Sequence, residues 1–169
     1  MNYILFDGAV RNQLLPFTFT RPVADIRVGI LTIREKWEKV LSSTTTTVSE
    51  DYLADKFPLV ELDHNVLINA SFCPSENLVQ LIMNLQENQA IFYKDEPLAF
   101  YSTEDQEIDF DVFDITQYND DDVFRIENTW DIFEKNHEAI QKDFDLLTEG
   151  RTSAPIPETV VVFHPERVF

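Results

Sequence analysis

The sequence predicts an α/β domain. Short apolar runs of strand length alternate with segments in which apolar residues return every three or four positions, and Gly, Pro, Asn and Asp punctuate them. At 169 residues the chain is long enough for one domain with its own core, and close to the size at which a second core becomes expected.

Tyr3 to Phe6 is an apolar run ending at Asp7-Gly8, the pattern of a buried first strand entering a turn. Pro16 and Pro22 each remove a backbone donor and restrict the residue before them, so residues 9–22 form a loop without a regular helix. Ile26, Ile30, Ile33, Trp37, Val40 and Leu41 then recur at spacings of three and four, which predicts an amphipathic helix over residues 28–41. Its start is basic, against the sense of the helix dipole but suited to an anion held nearby. Ser42 to Thr47 is polar and rich in β-branched threonine, and it leads into Val48 as a loop followed by a strand.

Val66 to Asn69 reads as a buried strand, and Pro74-Ser75-Glu76 opens a helix in which Leu78, Leu81, Ile82 and Leu85 share a face. Gln89–Tyr93 and Pro97–Tyr101 form a hairpin about the turn Lys94-Asp95-Glu96. A last helix starts at Thr129-Trp130-Asp131, carries Ile132, Phe133, Ile140, Phe144 and Leu147 as its apolar positions, and is ended by Gly150. Ser153 to Pro157 has the composition of a linker, and Thr159 to Phe163 is an apolar strand in need of a partner. The reading is thus a domain over 1–152, followed by a linker and lead-in strand over 153–169.

Charge narrows the partners. A net charge of −18 repels nucleic acid and anionic lipid, both of which are bound by neutralising phosphates with Lys and Arg. Residues 1–40 run the other way: Arg11, Arg21, Arg27, Arg34, Lys36 and Lys39 against Asp7, Asp25, Glu35 and Glu38 give +2, which leaves −20 for the rest. A small anionic ligand therefore belongs on the N-terminal segment; the competing reading is a solvated basic helix face. No apolar run approaches the ~20 residues that span a bilayer, and Met1 to Gly8 lacks the basic start of a secretory signal. The lone Cys73 reads as a small buried residue in a reducing compartment, so the expected location is cytoplasmic.

The most informative stretch is Leu14-Leu15-Pro16-Phe17-Thr18-Phe19-Thr20-Arg21-Pro22-Val23. It resembles the Leu-x-Pro-Leu-Thr-x-x-x-Pro-Lys segment that follows the glycine-rich nucleotide loop of sugar nucleotidyltransferases, and it lies, as there, between a first strand and a long helix. Leu14 to Trp37, Leu67 to Ala70 and Thr129 to Phe133 are further similar to a divergent branch related to the bifunctional N-acetylglucosamine-1-phosphate uridyltransferase/glucosamine-1-phosphate acetyltransferase family. The resemblance implies a Rossmann-like nucleotidyltransferase fold whose C-terminal strand leads into a left-handed β-helix of acyltransferase type lying beyond Phe169. Oligomerisation is then expected through that further domain.

The same resemblance implies the substrates: a nucleoside triphosphate and a sugar 1-phosphate, with Mg²⁺. Within that frame Arg21 and Arg11 are the available cations for the charge of the reacting phosphates, Gly8 lets the backbone approach, Asn12 and Gln13 supply hydrogen bonds to the nucleotide, and Arg27 and Lys36 stand behind them. Asn69, at a strand's C-terminal end, would face the sugar or base. The chain also departs from the family pattern. Gln13 stands where the loop arginine is expected, Val23 where the lysine after Pro22 is expected, and Asn69-Ala70 where Gly-Asp is expected. The alternative is therefore a non-catalytic nucleotide- or sugar-binding or scaffold domain, because transfer at an α-phosphate depends on charge neutralisation and positioning.

Other features read as structural. Asp105, Glu107, Asp109 and Asp111 alternate as on the solvated face of a strand, with a metal site as the competing reading. Asp120-Asp121-Asp122 lacks the glycine and spacing of a calcium loop. His64, His137 and His164 show no ligand spacing, and Trp37 and Trp130 lie at apolar positions that predict core.

Overall fold

The computed structural model describes residues 1–104, 106–120 and 123–169. The apolar run after Met1 forms β1 (Asn2–Phe6), with Tyr3 and Leu5 on one face and Phe6 on the other, as the twofold repeat of a strand dictates. Irregular 3-10 turns carry the chain from Ala9 to Asp25, in keeping with the prolines. The following helix, α1 (Ile33–Leu41), begins five residues later than its periodicity predicts. Thr32 and Glu35 close a reciprocal capping box there, and Gly29 at φ 81 turns the chain just ahead of it. A Cβ at Gly29 would lie 2.5 Å from a carboxylate oxygen of Asp143, so this turn needs glycine for space as well as for conformation.

The chain continues through β2 (Thr45–Val48), β3 (His64–Asn69), α2 (Glu76–Met83), β4 (Gln89–Tyr93) and β5 (Glu96–Thr103). The first three strands are parallel, with β1 between β2 and β3; β5 runs antiparallel beside β3 and pairs with β4. A strand that sequence reasoning missed, β6 (Asp114–Gln117), completes the order β2-β1-β3-β5-β4-β6 by pairing parallel to β4. All four of its residues are exposed, which removes the alternation that marks a strand. The acidic residues before it do not form a strand: Phe110–Val112 is a 3-10 turn, and Asp105 lies outside the described residues, as do Asp121 and Asp122 of the aspartate run.

The sheet's main core lies on one face, where Ile33 and Trp37 of α1 and Leu78 and Ile82 of α2 meet Leu5, Ile68, Ile91 and Ala99. Trp37 is wholly buried, and its indole N–H donates to the carbonyl of Phe72 at 2.9 Å. On the other face Phe92, Phe100, Phe110 and Phe113 pack edge to face around Leu67.

Two C-terminal expectations are corrected. The last helix is two, α3 (Asp131–Glu134) and α4 (Asn136–Thr148), and most of its apolar positions face solvent: Phe133 is 85 % exposed and Trp130 59 %, with Ile140 and Phe144 also exposed, while Ile132 packs on the core and Leu147 is half-buried. Ala139 and Asp143 face inward instead, because Asp143 accepts from the backbone N–H groups of Ile30 (2.8 Å) and Leu31 (3.0 Å) and pairs with Lys36. A buried polar anchor thus sets the helix's rotation. Thr159 to Phe163 forms no strand and is exposed except at the half-buried Val162; the tail touches the domain where the Phe169 ring meets Phe144 edge-on.

Candidate functional site

In an open α/β sheet, ligands bind beyond the carboxyl ends of the strands, at the point where the chain's path reverses. Here that point is β1, since the chain moves from β1 to β2 on one side and then crosses to β3 on the other. The turn after β1 carries Asp7 and Gly8, and β3 ends on Asn69. Two residues far apart in sequence meet there: a Cβ on Gly8 would lie 2.5 to 2.9 Å from the Asn69 side-chain amide. Gly8 has an ordinary φ of −74°, so it is required for close approach and not for conformation.

Asn69 is fully buried and fully engaged. Its amide donates to Glu96 at 2.9 Å and to the Pro97 carbonyl at 3.3 Å, while its oxygen accepts from the Ser71 N–H at 3.0 Å and the Ser71 hydroxyl at 2.8 Å. Glu96, the first residue of β5, also pairs with Arg125, whose Nε donates to Ser71 at 3.2 Å and whose guanidinium lies over the Phe72 ring. Sequence reasoning missed Ser71, Glu96 and Arg125. They come from three segments, and only the antiparallel course of β5 beside β3 and the pairing of residues 124–126 with 71–73 bring them together.

Arg11 is likewise engaged. An arginine has five N–H donors. Those of Arg11 face Asp7 and Ser49 (3.1 Å) through Nη1, the Thr18 carbonyl (2.6 Å) and Tyr52 hydroxyl (2.9 Å) through Nη2, and Glu50 (3.4 Å) through Nε. Asp7 accepts in addition from the Val23 N–H at 2.7 Å and the Ser49 hydroxyl. Arg11 therefore ties the ends of β1 and β2 to the Pro16–Thr20 loop and has no donor left for a phosphate. Arg27, an exposed side chain, pairs at the surface with Glu35 and donates to the Ile30 carbonyl, whereas Lys36 is buried against Asp143. Lys36 instead lines a groove of about 730 Å³ with Val40, Cys73, Val79, Phe124 and Asp143.

Arg21, Asn12 and Gln13 behave differently. All three are exposed, and among the described residues no side chain or carbonyl pairs with them. They follow Gly8 and Arg11 on the same loop, so the residues open to a ligand lie on its outer side. A protein-held Mg²⁺ does not fit this edge. Asp7 is occupied by Arg11, Ser49 and Val23, Glu96 is taken by Asn69 and Arg125, and no group of three His, Cys, Asp or Glu side chains among the described residues is placed to hold a metal. Burial pushes the Cys73 thiol up to about 12, so it is inert at neutral pH.

The sequence model of a family described as sugar nucleotidyl transferase matches residues 3–152. A comparison with curated proteins finds no match. Among the described residues no helix is long and apolar enough to cross a membrane.

Proposed function

The chain belongs to the sugar nucleotidyl transferase family, and from that premise we propose that the carboxyl edge of β1 and β3 binds a nucleoside triphosphate beside a sugar 1-phosphate for nucleotidyl transfer. The observation that carries this reading is the exposed Arg21, without a partner among the described residues, on the loop that Arg11 fastens to the switch point. Its guanidinium can grip two phosphate oxygens. Asn12 and Gln13 supply amide hydrogen bonds, and Asn69 positions the floor of the site through Glu96 and Ser71 in place of contacting the sugar directly. Arg11 is a positioning residue, and Arg27 and Lys36 lie outside the site. In this reading residues 153–169 link the domain to an acyltransferase-type β-helix through which the protein oligomerises.

Attack of the sugar phosphate on the α-phosphorus would release pyrophosphate, and positioning with charge neutralisation is what such a reaction needs from a protein. A second reading, a non-catalytic nucleotide- or sugar-binding domain, is favoured by one observation: the cation nearest the Gly8 turn and the asparagine at the end of β3 are both saturated by internal partners. Calorimetric titration with ATP and UTP in the presence of Mg²⁺, followed by pyrophosphate release on adding sugar 1-phosphates, separates them. Binding with turnover supports transfer, and binding alone supports the second reading. Arg21→Ala is expected to weaken binding at least about tenfold, roughly 1.4 kcal/mol, and Arg151→Ala to leave it unchanged. A parent protein that binds neither nucleotide at millimolar concentration refutes transfer, and one that binds no sugar 1-phosphate either refutes the second reading as well.

A further inference from the structure

Three aromatic rings lie bare around the loop that Arg11 fastens. Phe17 is 46 % exposed, Phe19 59 % and Tyr52 61 %, whereas Thr18 between the two phenylalanines is wholly buried. Large apolar side chains left in water on a mobile segment need no explanation, but this crest is fixed from below. The Thr18 hydroxyl donates to the Arg11 carbonyl at 2.9 Å, Arg11 returns a bond to the Thr18 carbonyl, and the Tyr52 hydroxyl takes a hydrogen bond from Arg11 and donates to the same carbonyl at 3.4 Å. The rings are thus presented on a braced support, which lowers the entropic cost of binding something against them.

The surroundings say what that is. Arg21 stands two residues beyond Phe19 without a partner among the described residues, in the N-terminal segment whose charge balance is positive. An aromatic crest beside an exposed guanidinium fits a flat ring that carries anionic groups. Extending the reading under Proposed function, on which it rests, we propose that Phe17, Phe19 and Tyr52 form a stacking platform for the base of the nucleotide whose phosphates Arg21 receives. Every base has a π-face, so such a platform accepts purine and pyrimidine alike. The closed Gly8–Asn69 contact then marks the inner wall of the site, and the aromatic crest its outer, base-binding side.

The test compares ATP, UTP and inorganic tripolyphosphate, each titrated calorimetrically in Mg²⁺ against the full chain, the variants Phe17→Leu/Phe19→Leu and Tyr52→Leu, and Arg21→Ala. Leucine keeps apolar bulk and removes the ring face. The exposure of Phe17 and Phe19 leaves the unfolding midpoint of their double variant in place, whereas Tyr52→Leu also removes the hydroxyl bonded to Arg11 and Thr18 and lowers the midpoint, so the midpoint is measured alongside and binding is compared below it. The platform predicts that the parent binds both nucleotides at least tenfold more tightly than tripolyphosphate. The leucine variants should lose that preference while binding tripolyphosphate as the parent does, and Arg21→Ala should weaken all three ligands. A preference that survives in the leucine variants overturns the platform. So does a parent that binds tripolyphosphate and nucleotides equally, although Arg21 and the phosphate site would then stand. Unchanged nucleotide binding with an altered molecular mass in the leucine variants would make the crest a protein contact and overturn the proposal; no binding of any ligand removes the functional reading as well.

Discussion

Replacing Arg11 by alanine is expected to damage the fold before it damages any reaction. The Asp7 side chain is 4 % exposed and Arg11 10 %, so the substitution leaves a buried carboxylate with only the Val23 N–H and the Ser49 hydroxyl to hold it. It also strips the Thr18 carbonyl of its 2.6 Å donor. Breaking one side of a buried ion pair costs about 3–5 kcal/mol, which in a domain of this size lowers the thermal midpoint by about 10 °C. Arg11→Lys restores the charge opposite Asp7 but not the fork that reaches Thr18 and Tyr52, so it should recover only part of the loss. Urea unfolding followed by fluorescence reads this well, because Trp37 is fully buried and reports the core. If Arg11→Ala unfolds within about 1 kcal/mol of the parent yet binds nucleotide poorly, the arginine belongs to the ligand and the bracing role assigned to it is wrong.

Asp143→Ala should destabilise by a similar amount, about 3–5 kcal/mol, since it leaves the Lys36 ammonium and two backbone N–H groups buried without partners; Lys36→Met, which leaves Asp143 its two backbone donors, should cost less in the same unfolding experiment. Glu35 is held below its ordinary value of 4.5, first by the Thr32 N–H and then by the Arg27 and Lys39 charges. A carboxyl lowered in the folded state contributes stability that is full above 4.5 and lost as pH falls through the lower folded value. The gap in thermal midpoint between the parent and Glu35→Gln should therefore be largest near neutral pH and shrink below 4.5. Cys73, 7 % exposed and with a thiol pushed up to about 12, should react with a thiol reagent far more slowly in the native protein than in denaturant; equal rates would show it accessible.

Much of the frame was legible in the sequence because it rests on local signals. The apolar runs at Tyr3–Phe6 and Val66–Asn69, the serine before Glu76 and the Lys94-Asp95 turn each fix their element from neighbouring residues. The start of α1 was legible too, in the Thr32-x-x-Glu35 capping box, but the isoleucine spacing from Ile26 overrode it; Ile26 and Ile30 lie in the preceding loop. What failed was long-range. β6 is fixed by partners on β4 and not by its own pattern, and α4 turns its apolar side outward because Asp143 is anchored by residues more than a hundred positions away. The site divides in the same way. That Gly8 and Asn69 meet follows from the strands they end, whereas the engagement of Arg11 by Tyr52 and of Asn69 by Glu96 depends on loops whose course no periodicity encodes.

The central claim is that nucleotide binds on the outer side of the switch-point loop, and the amide spectrum of the isotopically labelled protein tests it directly. On titration with ATP or UTP in Mg²⁺, the account predicts shifts concentrated in residues 8–13, 16–21, 49–52 and 69–71. Shifts confined to the groove between α1, α2 and α4, around Lys36 and Cys73, or a spectrum unchanged at millimolar nucleotide, would contradict it.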